Sequence, residues 1–333
     1  MAKVNLDSFE LVLPLESEGY DPTADIEETI DQICKNYFPA TQTSSLCDEL
    51  TGFKRRLKRS RDKNDLQAYS ATITEFNALV KSSLADSTIQ TTLDNLRNLP
   101  LPLVERIINQ TYSRTISPQV QLLKQYENGT DNVYGELLPR FVHDIFFETE
   151  LRSDHIFVDL GSGVGNVVLQ AALETGCEAW GIEQMANPTR LGAAQLAEFE
   201  ARCKRWGLRP GKVTLLQGNF LGSDEIDKVL KRADVVLVNN QAFTPALNEK
   251  LILKFLDLKE GAQIVSLKSF VPDKWEIKTR SLDDVRNVLS VTRKEYGTRS
   301  VSWTDEAGDW FIAIKDSRNL EAFQKKMMRR GGN

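Results

Sequence analysis

The chain has 333 residues, of which 41% are hydrophobic, and its formal net charge is −5 at pH 7. No apolar run approaches roughly 20 residues, and the first residues lack the apolar core of a secretion signal, so neither a membrane-spanning nor a secreted protein is expected. The acidic balance disfavours a protein that simply coats DNA. Four scattered cysteines without a Cys-x-x-Cys pair, and two histidines, exclude a structural metal site and indicate reduced thiols.

Residues 1–130 are predicted to form a mainly helical support or docking domain. Apolar positions recur at helical spacing over residues 26–34, 66–84 and 104–112. Basic residues cluster at 54–63 and in a C-terminal tail over 317–333, where they are Lys325, Lys326, Arg329 and Arg330. Such clusters are either solvated faces or contacts with nucleic acid, an acidic protein surface or a nuclear import receptor.

From about residue 131 the pattern changes to alternating strands and helices. Near-continuous apolar strands alternating with helices predict a parallel sheet that is covered on both faces. The predicted parallel strands are 156–160, 179–182, 213–217, 235–239 and 262–267. The predicted helices between them are 166–174, 188–206, with Asn187 as N-cap, 224–231 and 245–256. Segments 285–295, 300–303 and 310–315 are predicted to close the sheet as a pair of antiparallel strands, which gives an α/β, seven-stranded, class I methyltransferase sheet.

A glycine-rich turn follows the first predicted strand. The apolar run over 156–160 contains Asp159 and is followed by Gly161, Gly163 and Gly165, which open a helix. Glycines allow a sharp turn and the close approach of a ligand. The Gly-x-Gly-x-Gly spacing differs from the dinucleotide fingerprint and is typical of S-adenosylmethionine-dependent methyltransferases.

Three further strand ends carry residues that a nucleoside ligand or an attacking amine needs. Glu183 ends the second strand, where an acid can accept hydrogen bonds from both ribose hydroxyls. Asn219 and Phe220 follow the third strand, where an amide can bind the adenine amino group and a ring can pack on the adenine face. Asn239 and Asn240 follow the fourth strand, and an asparagine there can orient an attacking amine through its amide oxygen.

Six motifs occur in order and resemble one family. They are Tyr134-Gly135-Glu136, the segment 158–165, Gly181-Ile182-Glu183, Gly218-Asn219-Phe220, the segment 238–243 and the segment 300–304. Together they resemble the catalytic domain of the disruptor of telomeric silencing ("Dot-one") histone methyltransferases, over about residues 105–316. These are non-SET lysine methyltransferases, and Asn219 indicates a fungal member, because animal members have Asp at that position.

The resemblance implies a site and a reaction. Residues 131–316 would be the S-adenosylmethionine-binding catalytic domain, which transfers methyl to a lysine in the globular core of nucleosomal histone H3 and releases S-adenosylhomocysteine. Asn239, Trp303 and Tyr134 would be catalytic, with Asn239 and Trp303 lining the lysine channel and Trp310 or Phe311 completing its wall. The implied cofactor-binding residues are Tyr134, Gly135, Glu136, Leu137, Phe157, Val158, Asp159, Leu160, Gly161, Ser162, Gly163, Val164, Gly165, Asn166, Glu183, Asn219 and Phe220.

The resemblance also implies partners and a place of action. The implied partners are the nucleosome with its histone H4 tail, ubiquitinated histone H2B and, through the basic clusters, nucleosomal DNA. The enzyme would be a monomer that acts in the nucleus, in telomeric silencing and in the DNA-damage checkpoint. Since neither histidine lies in a motif, the lysine would be deprotonated by desolvation and solvent, with His143 structural. The alternatives are a class I methyltransferase acting on RNA or another amine, an inactive chromatin adaptor, and, least favoured, a nicotinamide-dependent oxidoreductase.

Overall fold

The computed structural model describes residues 21–124 and 134–331, so the first residues and their expected lack of a secretion signal lie outside the described part. The chain divides into two compact units between Leu96 and Arg97. This division lies earlier than the expected boundary at residue 130, because a helix after it belongs to the second unit. That helix, Leu101–Thr115, buries Leu103, Val104 and Ile107 completely and packs against the helices that flank the sheet.

The first unit is a bundle of five helices around a small core. Its helices are α1 (Pro22–Asn36), α2 (Ala40–Leu46), α3 (Phe53–Asp62), α4 (Leu66–Ala85) and α5 (Thr88–Asp94). Asp21 caps α1 by accepting hydrogen bonds from the backbone N–H groups of Thr23 and Ala24, with Pro22 at the first helical position. Ile30, Cys34, Phe53, Leu57 and Phe76 form the buried core.

The second unit is a seven-stranded sheet flanked by helices. The described helices are α6 (Leu101–Thr115), α7 (Pro139–Glu148), α8 (Asn166–Thr175), α9 (Ala186–Arg205), α10 (Asp224–Leu230), α11 (Pro245–Lys254) and α12 (Arg318–Gly331). The strands are β1 (Ile156–Leu160), β2 (Glu178–Glu183), β3 (Val213–Gln217), β4 (Val235–Val238), β5 (Gln263–Ser266), β6 (Leu289–Tyr296) and β7 (Gly308–Lys315).

The strand order is β3-β2-β1-β4-β5-β7-β6. The first five strands are parallel, and β7 lies antiparallel between β5 and β6. This is the arrangement of the class I methyltransferase sheet, so the predicted α/β fold class is confirmed. The order reverses between β1 and β4, and the carboxyl ends of strands at such a reversal are where ligands bind in open parallel sheets.

Side chains of β1 alternate between the two faces of the sheet. Val158 and Leu160 pack in one buried cluster, whereas Phe157 packs in the cluster on the opposite face, with its ring 5.6 Å from that of Phe146. These three side chains are fully buried. They are therefore core residues, which fix the strand that carries Asp159.

Several element bounds differ from the predicted ones. Helix α9 begins at Ala186 with Met185 at the N-cap, so the prediction of Asn187 as N-cap is wrong. Residues 285–288 form a short 3-10 helix before β6, and in the predicted strand 300–303 only Val301 forms a bridge, to Leu137. Residues 318–331, expected as a tail, are helical.

The described residues contain no helix that is both long and apolar enough to cross a membrane. Within the same residues, no group of three or more His, Cys, Asp or Glu side chains could hold a metal ion. Cys34, Cys47, Cys177 and Cys203 are free thiols.

Candidate active site

A cleft of about 920 Å³, including the solvent at its open mouth, lies at the carboxyl ends of β1, β2 and β4. It is lined by most of the predicted site residues: Tyr134, Gly135, Glu136, Leu137, Asp159, Gly161, Ser162, Gly163, Val164, Asn166, Glu183, Phe220 and Asn239. Six predicted residues are not part of the lining, namely Phe157, Val158, Leu160, Gly165, Asn219 and Trp303.

The glycine loop between β1 and α8 forms one wall of the cleft. Gly163 has a φ of +55°, and a Cβ atom added to it would lie 2.8 Å from Cε2 of Tyr134. A side chain is thus excluded both by the backbone conformation and by the Tyr134 ring. The Gly163 N–H donates to Oε2 of Glu183 at 3.0 Å, which ties the loop to the end of β2.

Gln195 of α9 supports this loop from behind. Its Nε2 donates to the backbone oxygen of Val164 at 2.9 Å and to Oδ1 of Asn166 at 2.8 Å, and the side chain is buried. Sequence reasoning missed this residue. It lies in the middle of an amphipathic helix, where nothing in the local pattern separates it from a surface glutamine.

Asp159 and Glu183 place two carboxyl groups beside the loop. Burial, followed by the charge of Glu183, raises the pKa of Asp159 to about 8. Glu183 accepts hydrogen bonds from the backbone N–H groups of Gly163 and Met185, at 3.0 and 2.7 Å, which fix its orientation. The pair therefore favours a ligand that brings a positive charge to Asp159 and hydroxyl donors to Glu183.

Two tyrosines converge on Glu136 at the other wall. The hydroxyl of Tyr134 donates to Oε1 of Glu136 at 2.5 Å, and the hydroxyl of Tyr112, from α6, donates to the same oxygen at 3.2 Å. Burial raises the pKa of the Glu136 carboxyl and of both phenols. Sequence reasoning missed Tyr112, because it lies on a helix distant in sequence from the motif.

The mouth of the cleft joins segments that are far apart in sequence. The backbone N–H of Ser302 donates to the oxygen of Glu136 at 2.9 Å, and the Glu136 N–H donates to Oγ of Ser302 at 2.9 Å. This pairing places Trp303, which is 38% exposed, against Gly135, where an added Cβ atom would lie 2.7 Å from Cε3 of the indole. Trp303 thus lies at the rim and not in the cleft lining.

The two consecutive asparagines after β4 have different roles. Asn240 is fully buried; its Oδ1 accepts from the N–H groups of Leu267 and Lys268, and its Nδ2 donates to the oxygen of Lys268. Asn240 therefore joins the ends of β4 and β5. Asn239 lines the cleft, and its Nδ2 donates to the backbone oxygen of Gly135 at 3.2 Å. Oδ1 of Asn239 is buried without a hydrogen-bond partner among the described residues.

Two aromatic side chains also line the cleft. Phe220 lies 6.2 Å from Phe243, with an angle of 31° between the rings, and both line the cleft. Phe243 had no role assigned from the sequence, although it follows the asparagine pair closely. Asn219 is exposed, and its Oδ1 accepts from the N–H of Leu221 at 2.8 Å, so this acceptor closes the turn after β3.

Trp310, Phe311 and His143 are outside the cleft lining. Trp310 is buried in the sheet core, edge-on to Phe141 with 5.7 Å between the ring centroids. Phe311 pairs with Arg293 across β7 and β6. His143 contacts the buried Glu174 at 2.5 Å. Alternation along β7 directs the Trp310 side chain into the core.

Comparison with known proteins assigns a family. The sequence model of the family described as "Histone methylation protein DOT1" matches residues 112–315. A protein of Emericella nidulans is 51% identical over 96% of this chain, and one of Aspergillus fumigatus is 52% identical over the same share. A protein of Yarrowia lipolytica is 37% identical over 96% of the chain.

All three relatives are named "Histone-lysine N-methyltransferase, H3 lysine-79 specific". The chain spans 64% of the length of the Emericella and Aspergillus proteins and 66% of that of the Yarrowia protein. The family match covers the cleft with its glycine loop, both carboxyl groups, Asn239 and Trp303. This chain belongs to the DOT1 family of histone methylation proteins.

Proposed function

We propose that this chain carries the catalytic part of an S-adenosylmethionine-dependent methyltransferase that acts on lysine 79 of histone H3 in the nucleosome. One observation carries the proposal. The buried Oδ1 of Asn239 has no hydrogen-bond partner among the described residues. Asn239 lines the cleft and contacts Gly135, which packs against Trp303 at the mouth of the cleft. A buried acceptor without a partner loses free energy unless a ligand supplies a donor, and a lysine amine is such a donor.

The residues of the cleft fit S-adenosylmethionine. Asp159 would bind the ammonium group of its methionine part, and Glu183 would accept hydrogen bonds from the ribose hydroxyls. Phe220 and Phe243 would pack against adenine, since both rings line the cleft. Gly163 leaves the space that a Cβ atom would fill. Asn219 is exposed, so we assign it to closing the β3 turn and not to the adenine amino group.

The mouth would admit and orient the lysine. Asn239 is held by its bond to Gly135, so its free oxygen is positioned in advance and would align the amine. When bound, the donor would supply a sulfonium methyl group, and the lysine nitrogen would attack the methyl carbon in line as the carbon–sulfur bond breaks and S-adenosylhomocysteine leaves. Trp303 at the rim would exclude water, and desolvation lowers the pKa of a lysine amine. No histidine among the described residues lines the cleft, so the proton would leave to solvent.

By family resemblance we also propose nuclear action as a monomer, stimulation by ubiquitin on histone H2B, and contact with the histone H4 tail. Residues 131–316 would carry catalysis. The rate of methyl transfer is compared on nucleosomes with and without ubiquitinated histone H2B, which tests stimulation by ubiquitin. Equal rates on both substrates would remove ubiquitinated histone H2B from the proposal.

Transfer of a labelled methyl group tests the proposed activity. The full chain is incubated with labelled S-adenosylmethionine and, in parallel, with recombinant nucleosomes, free histone H3 and total RNA. The proposal expects label on histone H3 of nucleosomes. Label on RNA would favour another class I methyltransferase, whereas cofactor binding without label on any substrate would favour an adaptor.

A further inference from the structure

The structure separates the basic cluster over residues 54–63 into two sets. Its helix, α3, buries Phe53, Leu57 and Ser60 on one side. Cations on the two flanks of that side form ion pairs within the first unit: Lys54 with Glu28 and Asp31, at 2.7 and 3.1 Å, Arg61 with Glu27, at 3.2 Å, and Arg56 with Glu75. These flanking cations are therefore neutralised by the fold.

The opposite side of α3 carries cations without partners. It presents four exposed side chains, which we call the α3 crest, and no hydrogen bond or ion pair joins them to the described residues. The α3 crest consists of Arg55, Lys58, Arg59 and Lys63. Their spacing of three and four residues places them on one face, and Asp62 is the one acid of α3 on that face.

The α3 crest brings like charges together, although Asp62 lies at i+4 from Lys58 and Arg59 stands in the last turn, where cations are favoured. Arg55 and Arg59, and likewise Arg59 and Lys63, are like charges at i and i+4, and such pairs cost about 0.2–0.5 kcal/mol each. The first turn of α3 has no acid, although that end of a helix favours negative charge. Four exposed cations against one acid leave a net positive charge on this face, which fits a polyanionic partner.

We infer that the α3 crest binds the phosphate backbone of duplex DNA. The crest from residue 55 to 63 is about 12 Å long, and four successive phosphates of one DNA strand span about 10 Å along the duplex axis. The face has no apolar or aromatic residue, whereas protein interfaces are anchored by such residues. Phosphate contacts need only cations, and they position a protein without reading sequence. The inference depends on the proposed function only for the source of the DNA, which is the nucleosome.

The test compares two variants of the full chain with the same change in charge. The first replaces the α3 crest: Arg55→Gln, Lys58→Gln, Arg59→Gln and Lys63→Gln. The matched control replaces exposed lysines elsewhere: Lys81→Gln, Lys231→Gln, Lys250→Gln and Lys278→Gln. The affinity for a short duplex of mixed sequence is measured by fluorescence anisotropy at several salt concentrations, without cofactor.

Loss of four phosphate contacts should weaken DNA binding about tenfold or more and reduce the slope of log K against log salt by about 3–4. The control should retain the wild-type slope. The melting temperature of the crest variant should stay close to that of wild type, because the four side chains are exposed and make no hydrogen bond or ion pair with the described residues. An unchanged slope would overturn the inference.

A second result would also overturn the inference. If the crest variant lost affinity for nucleosomes but kept its affinity for free DNA, the partner would be an acidic histone surface. Methyl transfer is assayed separately on nucleosomes. If wild type transfers no methyl group but the crest effect on DNA persists, the proposed function fails while the DNA contact stands.

Discussion

The two halves of the cleft are built from very different stretches of sequence. The donor half consists of the glycine loop, Asp159 and Glu183, which lie in the neighbouring parallel strands β1 and β2 and in the turn that follows β1. The mouth joins Asn239 to Gly135, 104 residues away, and Glu136 to Ser302, 166 residues away. The comparison suggests that binding of the donor and delivery of the acceptor are separable. Changes in one half should leave the other intact.

Gly163→Arg should have the largest effect in the donor half. The new side chain would meet the Tyr134 ring at a position with a φ of +55°, so cofactor binding should become undetectable by calorimetry. The control is Gly222→Arg, since Gly222 is exposed and has open space where Cβ would stand. Normal cofactor affinity in Gly163→Arg would show that the loop does not hold the donor.

Asn239→Ala should separate the two halves. Loss of the orienting oxygen should reduce kcat on nucleosomes by about 10²–10³, the usual cost of removing one polar group from a transition state. Cofactor affinity should not change. Asn240→Ala is the matched neighbour; it leaves the buried N–H of Leu267 and the partly buried N–H of Lys268 without an acceptor, and the free energy of unfolding should fall by about 2–4 kcal/mol. If Asn239→Ala also lost cofactor affinity, donor binding and acceptor delivery would not be separable.

The pKa of Asp159 predicts a pH dependence in the donor half alone. With its pKa raised to about 8, the carboxyl is protonated below that pH and must lose its proton to bind a cationic group. Cofactor affinity should therefore rise as pH increases from 6 to 8, by at most about tenfold per unit. Titration calorimetry of wild type and Asp159→Asn checks this. A flat profile in wild type would contradict it.

Gln195→Ala should have the smallest effect of this series. Because Gln195 supports the Val164 oxygen and Asn166 without lining the cleft, its loss should raise KM for the cofactor about tenfold or less and leave kcat near wild type. Gln324→Ala, at an exposed position of α12, is the control. A fall in kcat at unchanged KM would assign Gln195 to the chemical step.

The donor half could be predicted from the sequence because its elements are local. Apolar runs, glycine spacing and strand-end acids fix β1, β2 and the turn that follows β1. The same pattern could not show that Val158 and Leu160 face the core, since a short strand that is buried on both faces has apolar residues on both faces and so does not show which side each residue occupies. Nor could it locate Gln195 or Tyr112, whose roles come from packing between helices.

The mouth was predictable only through the resemblance to a family. Nothing local distinguishes Asn239 from Asn240, and only their hydrogen bonds separate an amide in the cleft from one that joins β4 to β5. The sequence alone does not show which of the two tryptophans, Trp303 or Trp310, lies at the cleft. The loop at 300–303 brings the first to the rim, whereas alternation in β7 buries the second.

Peptide mass spectrometry of nucleosomes treated with the full chain tests the central claim most directly. Wild type and Asn239→Ala are compared at cofactor concentrations that give equal occupancy. We expect wild type to methylate lysine 79 of histone H3 and Asn239→Ala to leave that lysine almost unmodified at the same occupancy. Methylation at another residue by wild type, or equal modification by both proteins, would contradict the account.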